Sequence, residues 1–200
     1  MEGMYLCLVF VICMVYMSGS QGCDDQSNFG LNCTYTCHCK SGRACNETDG
    51  SCPAGECETD WYGEYCQLGN GARGQPTNQS STYTATMGLS EFAVDGNKQQ
   101  LPSGKCAHTM DNPRDDKPWW MVDLLQTHVL FKVTLYNRGT DFCRNTQDCR
   151  DRLKNFKIWM SDVASPEPEA GQLCLHYKGT VLLGAKPQLT CGRPVTGRYL

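Results

Sequence analysis

At 200 residues, with a formal net charge of -3 and 40% hydrophobic residues, the chain has room for one modest domain and a small module. Its mild acidity and lack of a long basic run remove any electrostatic case for nucleic acid as a partner. Its 15 cysteines argue against a reducing compartment and for an oxidising one.

The first stretch accounts for that compartment. Tyr5 to Met17 is almost wholly apolar and leads into the small residues Ser18, Gly19 and Ser20. It is short for a bilayer span, so residues 1–20 read as a secretory signal peptide, ahead of the alternative of a buried core helix. Glu2 makes the n-region weakly charged. No second apolar run of spanning length follows, so the expected product is secreted, with no membrane segment in this chain. Three sequons fit that route: Asn32-Cys33-Thr34, Asn46-Glu47-Thr48 and Asn78-Gln79-Ser80.

Cys7 and Cys13 fall in the leader, eight cysteines lie between Cys23 and Cys66, and five between Cys106 and Cys191, an odd total after cleavage. The segment 23–67 is poor in aliphatic residues and punctuated by Gly42, Gly50, Gly55 and Gly63. It cannot bury enough apolar surface to offset its chain entropy, so disulfides must stabilise it. Zinc is the competing reading, but Cys37-His38-Cys39 is tighter than a two-residue knuckle. The segment resembles an EGF-like module of the multiple-EGF type in Cys37-His38-Cys39, Gly55-Glu56-Cys57 and Trp61-Tyr62-Gly63-Glu64-Tyr65-Cys66-Gln67. Eight cysteines allow 105 pairings, which leaves the connectivity open. The expected role is a rigid spacer, followed by a linker at 68–77.

Beyond the linker, short alternating runs take over. Trp120, Val122 and Leu124 alternate with Met121 and Asp123; Val129, Phe131, Val133 and Leu135 alternate with Leu130, Lys132, Thr134 and Tyr136; Phe156, Ile158 and Met160 repeat the habit. Period-two patterning bounded by Gly, Pro, Asn and Asp predicts an all-β domain over 78–200, a sandwich or barrel. No ordered Ser-His-Asp set, H-E-x-x-H or phosphate loop is present, and nothing places His176 or Asp162 beside a nucleophile, so no enzyme is expected.

Seven ordered motifs in this region resemble a fucolectin-type domain, a jelly-roll relative of discoidin domains. They are Gln79-Ser80-Ser81-Thr82-Tyr83, Ala93-Val94-Asp95-Gly96-Asn97, Cys106-Ala107-His108, Pro118-Trp119-Trp120-Met121-Val122-Asp123-Leu124, Tyr136-Asn137-Arg138-Gly139, Arg152-Leu153 and Gly197-Arg198-Tyr199. The resemblance implies a jelly-roll β-sandwich and a sugar site made of His108, Arg138 and Arg152. Those donors suit a ligand of oxygen acceptors, with charge-assisted hydrogen bonds from arginine to hydroxyls. It also implies structural calcium on Asp95 and Asn97, completed near Ser103 and Cys106, although Asp-Gly-Asn is equally a common turn. The family's paired cysteines between its arginines correspond here to Cys143 and Cys149, expected to pair and to brace the loop, with Arg144 and Arg150 as extra cations. Cys174 and Cys191 match the family's internal disulfide. The partner of Cys106 lies, in the family, in a last strand beyond Gly197-Arg198-Tyr199; the expectation is therefore a sandwich lacking that strand, with Cys106 unpaired and an edge exposed.

The expected function is a secreted lectin for fucose or a related terminal glycan, with several copies, as in a homo-oligomer, supplying avidity. The alternative is an adhesion or receptor ectodomain whose discoidin-like domain binds protein.

Overall fold

The computed structural model describes residues 5–9, 27–30, 33, 35–100, 105–110, 114–139, 152–165 and 171–200. Its strands are β1 (Tyr5–Val9), β2 (Asn28–Phe29), β3 (Tyr35–Thr36), β4 (Trp61–Tyr62), β5 (Leu68–Gly69) and β6 (Thr77–Gln79). They continue with β7 (Ala107–His108), β8 (Trp120–Tyr136), β9 (Lys154–Met160), β10 (Gln172–Thr180) and β11 (Gln188–Tyr199). The protein is all-β, as the alternating runs predict, and among the described residues no helix is long and apolar enough to cross a membrane. Two compact units result, one of residues 11–70 and one of 1–10 with 71–200.

The smaller unit holds two short hairpins, β2–β3 and β4–β5. Disulfides Cys37–Cys45, Cys39–Cys52 and Cys57–Cys66 close loops of 8, 13 and 9 residues. Each contributes about 2–4 kcal/mol by restricting the unfolded chain. Cys37, Cys39 and Cys45 lie close enough to hold a metal, but their sulfurs are spent on one another and on Cys52. Around the buried sulfurs pack Phe29, Tyr35 and Tyr65, a core too small to fold on apolar burial alone. The linker is shorter than its composition suggests. Leu68 and Gly69 pair with Tyr62 and Trp61, and Thr77 already belongs to β6.

In the larger unit, β8 is the spine of a five-stranded sheet ordered β11-β8-β1-β7, with β6 paired to its first residues. β9 and β10 form a second sheet, and disulfide Cys174–Cys191 fastens β10 to β11 of the first. Val122, Leu124, Leu130, Val133, Leu135, Ile158, Met160, Cys174, Leu189, Cys191 and Val195 are buried and make up the core.

One detail of β8 departs from the alternation. Val133 and Leu135 face inward as expected, but upstream of them His128 and Leu130 are buried in place of Val129 and Phe131. Leu125 adopts φ 65°, a left-handed conformation costly for a non-glycine residue. Its N–H is capped by Asp123 Oδ1 at 2.8 Å, and Arg198 holds that carboxylate through two bonds of 2.6 and 2.7 Å. The partner register with β11 then slips again between Thr190 and Val195. Because side chains alternate with period two, this second slip, opposite Lys132 and Leu130, exchanges the two faces, whereas Val122, Leu124, His128 and Leu130 keep one phase across Leu125.

The second departure concerns the N-terminus. Tyr5–Val9, inside the expected leader, lies antiparallel between β8 and β7, with Cys7 opposite Tyr136 and Tyr5 opposite His108. The exposed edge expected from a missing last strand is thus covered on the β8 side. Cys106, expected to be unpaired, is disulfide-bonded. A short apolar segment of strand-forming residues satisfies the same backbone groups as any other strand, and so it fills this lane.

Removing Tyr5–Val9 is expected to accelerate amide hydrogen exchange at Ala107, His108 and the Thr134–Tyr136 end of β8, with β9 and β10 unaffected. Exchange followed by mass spectrometry on the two chains checks this; equal protection in both would show that the lane does not depend on β1.

Candidate functional site

Three segments converge at one end of the larger unit: β7, the end of β8, and the residues entering β9. His108 sits on β7 and is only 3% exposed. Its backbone is gripped by the preceding loop, with His108 N–H donating to Gly88 O at 3.0 Å and Tyr83 N–H donating to His108 O at 2.9 Å. Gly88 has φ 85°, and a Cβ there would stand 2.7 Å from His108 O, so this approach requires glycine. Gln79 Nε2 secures the same loop by donating to Gly88 O at 2.8 Å and Thr82 Oγ1 at 3.0 Å. At the loop's base, the Ser80 and Ser81 hydroxyls both donate to the buried Asp115 carboxylate at 2.5 Å. They also accept the N–H groups of Trp119 and Met110. The Gln79–Tyr83 motif therefore anchors the loop through hydrogen bonds that its polar residues supply in number.

Tyr83 stacks on the His108 ring with centroids 4.5 Å apart, yet is 41% exposed, and Met87 on the same loop is 56% exposed. An imidazole covered by an aromatic ring beside an open apolar rim can take both polar and apolar groups.

Arg138 follows β8 directly and is 2% exposed. A buried guanidinium is costly unless it is paired or hydrogen-bonded. The backbone that carries it is held firmly. Gly184 N–H donates to Arg138 O at 2.6 Å, and Asn137 N–H to Ala185 O at 3.0 Å. Asn137 Nδ2 donates to both Val181 O and Leu182 O at 2.9 Å. From the other side, Gln100 Nε2 donates to Asn137 O and to Ala185 O, while Gly139 N–H donates to Gln100 O at 2.6 Å. A Cβ at Gly139 would lie 2.7 Å from that carbonyl.

Arg152 precedes the buried Leu153, whose carbonyl accepts from Val181 N–H at 2.9 Å. Loop 181–185 thus holds the segments carrying both arginines. Both lie near enough to act on His108: burial first, then the charges of Arg152 and Arg138, push its imidazole down to about 2. His108 is therefore neutral at physiological pH and offers one N–H and one lone pair, where the residue types alone suggested a third cationic donor.

Of the proposed calcium ligands, Asp95 Oδ1 accepts from Asn97 N–H at 2.7 Å and Asn97 Oδ1 from Gln99 N–H at 2.9 Å. These are successive side-chain-capped turns, and they lead straight into Gln100. Asp95 retains its second carboxylate oxygen for a hard cation, but two residues fall short of six to eight ligands. Cys106 can offer only its carbonyl, because its sulfur is in a disulfide. Ser103, Cys143, Cys149, Arg144 and Arg150 lie outside the described residues.

Sequence reasoning assigned no role to Tyr83, Gly88, Gln100 or Asn137. Gly88 and Gln100 carry no motif of their own. Tyr83 and Asn137 stand inside quoted motifs, but a motif cannot say which ring stacks on which or where an amide donates.

A family model described as "NedA-like, galactose-binding domain" matches residues 92–200. Fucolectin-1 of Anguilla japonica is 31% identical over 139 residues, 68% of this chain and 72% of that protein. Fucolectin-5 of the same species is 32% identical over 139 residues, with 68% of each chain covered. Among solved structures, the serum f-lectin (fucolectin) of striped bass, Morone saxatilis, aligns at a TM-score of 0.54 and 28% identity, over 65% of this chain and 41% of that one.

A histidine that titrates near 6.5 when unfolded and near 2 when folded stabilises the fold above pH 6.5, and this contribution falls steadily as pH drops from 6.5 toward 2. Unfolding followed by denaturant titration between pH 7.5 and about pH 4 should show that loss in the wild type and a smaller pH slope in His108→Gln. An identical slope in both proteins would mean that His108 is protonated in the fold.

Proposed function

The chain belongs to the fucolectin family, and from that membership we propose that it is a secreted, non-catalytic lectin whose His108, Arg138 and Arg152 bind terminal fucose or a related glycan. The observation that supports this reading is that His108 on β7 is buried and that Arg138 and Arg152, on segments both held by loop 181–185, lie near enough for their charges to act on it. The names of the relatives, fucolectins of eel and of striped bass serum, support the ligand class and an extracellular setting.

The chemistry is direct. Each guanidinium donates charge-assisted hydrogen bonds to sugar hydroxyls or the ring oxygen, which suits arginine's fixed array of donors and lack of acceptors. Neutral His108 can donate to one hydroxyl oxygen or accept from one hydroxyl hydrogen, so it tests both the position and the polarity of a hydroxyl. The exposed rims of Tyr83 and Met87 provide an apolar surface for the methyl group of a 6-deoxy sugar. A site of this size binds weakly, and multiple copies would raise avidity. In this reading residues 1–20 are the leader, the disulfide-rich unit is an EGF-like spacer, and calcium at Asp95 and Asn97 stiffens the turn that delivers Gln100 to the backbone beside Arg138.

Arg138→Ala and Arg152→Ala are each expected to weaken fucose binding about 10- to 100-fold, the equivalent of about 1.5–3 kcal/mol for a hydrogen bond to a charged group. Calorimetric titration with the monosaccharide measures this. Binding unchanged in both variants would reject the site and favour a protein-binding role for the domain. Chelation of calcium is expected to lower the thermal midpoint of the larger unit and to weaken the same titration, and Asp95→Ala should remove the chelator's effect. A midpoint indifferent to chelator would leave Asp95-Gly96-Asn97 as a plain turn.

A further inference from the structure

We propose that Asn46 is an N-glycan acceptor, the one used of the two sequons whose asparagines the structure describes. This rests on the secretory reading above, since the transferase works only on chains entering that pathway.

Asn46-Glu47-Thr48 occupies an exposed turn of the smaller unit, immediately after the buried Cys45 of the Cys37–Cys45 disulfide. The turn is closed locally: Asn46 N–H donates to Ser51 O at 3.0 Å and Gly50 N–H to Asn46 O at 2.8 Å. The Asn46 side chain adopts one defined pose within it. Oδ1 accepts the N–H of Thr48 at 2.8 Å and of Asp49 at 3.4 Å. Only the carbonyl end of an amide can accept two N–H donors, so the network fixes which end faces the chain. The amide is planar, and Nδ2 therefore points away from the turn. All four residues from Asn46 to Asp49 are exposed, and the backbone N–H of Thr48 bonds directly to the acceptor side chain. A sugar on Nδ2 displaces none of the bonds just named.

The Asn78 sequon is built differently. Asn78 lies within strand β6, opposite Met121 of β8. The hydroxyl that makes it a sequon, Ser80 Oγ, donates to Asp115 Oδ2 at 2.5 Å and accepts from Trp119 N–H at 3.1 Å. That hydroxyl is committed to holding the loop of the sugar site.

The step itself balances. Asn46 Nδ2 bonds to C1 of an oligosaccharide carried on a lipid pyrophosphate, the C1–O bond to the pyrophosphate breaks, the amide nitrogen gives up one proton, and the lipid pyrophosphate departs.

The full chain is expressed in a eukaryotic secretory host in two versions, one with its own N-terminus and one with an unrelated cleavable leader ahead of Met1. Peptides from the purified protein are analysed by mass spectrometry before and after peptide N-glycosidase. The Asn46 peptide is expected to carry glycan in the wild type and in Thr48→Ser. In Thr48→Ala, which keeps the side-chain-capped turn but destroys the sequon, the glycan should be lost and the thermal midpoint retained. A bare Asn46 in the version carrying the unrelated leader, or glycan on Asn78 in place of Asn46, overturns the proposal. Failure of only the native-terminus version to leave the cell, with Asn46 occupied in the other, would reject secretion by residues 1–20 and support the acceptor.

Discussion

Like charge confined to a buried corner is the constraint from which the rest of the larger unit follows. Two guanidinium groups that cannot give up their protons act on an imidazole that can, in surroundings that weaken neither repulsion nor desolvation. Burial and repulsion push His108 in the same direction, so the ring is neutral and can both donate and accept. A neutral imidazole fits the proposed hydroxyl-rich ligand, because hydroxyls need acceptors as well as donors around them.

Holding such groups together requires force from elsewhere, and it comes through the backbone. Gly88 permits the contact that fixes His108. Gln100 and Asn137 stitch the segment around Arg138 to loop 181–185, which also reaches Leu153 beside Arg152. Behind them β8 runs through the sheet, bent at Leu125 and pinned there by Asp123 and Arg198. The smaller unit meets its stability requirement differently, with a core of sulfur and three aromatic rings in place of aliphatic burial. One chain thus contains both standard answers to chain entropy.

Much of this was legible in the order of residues. Strand patterning identified β8 and β9, and the family resemblance implied Cys174 and Cys191 as partners. The reading failed where a single irregularity changed the parity. Val129 and Phe131 have the composition of core positions, but the phase set by Val122 and Leu124 runs on through His128 and Leu130 and changes only between Leu130 and Val133, where the register with β11 slips. It also failed at Cys106, which was expected to be unpaired and is disulfide-bonded, because a pairing between distant segments is not written in local order.

By itself the sequence determined the all-β class, the disulfide-rich segment and the family, because these depend on residue types, their local spacing and the order of motifs. Only the tertiary structure decided that the charges of Arg138 and Arg152 act on His108, that His108 is neutral, that Tyr83 stacks on its ring and that Gln100 steadies the backbone beside Arg138. Those properties depend on distances between segments far apart in the chain, and on burial, which sets a charge only after the chain has closed around it.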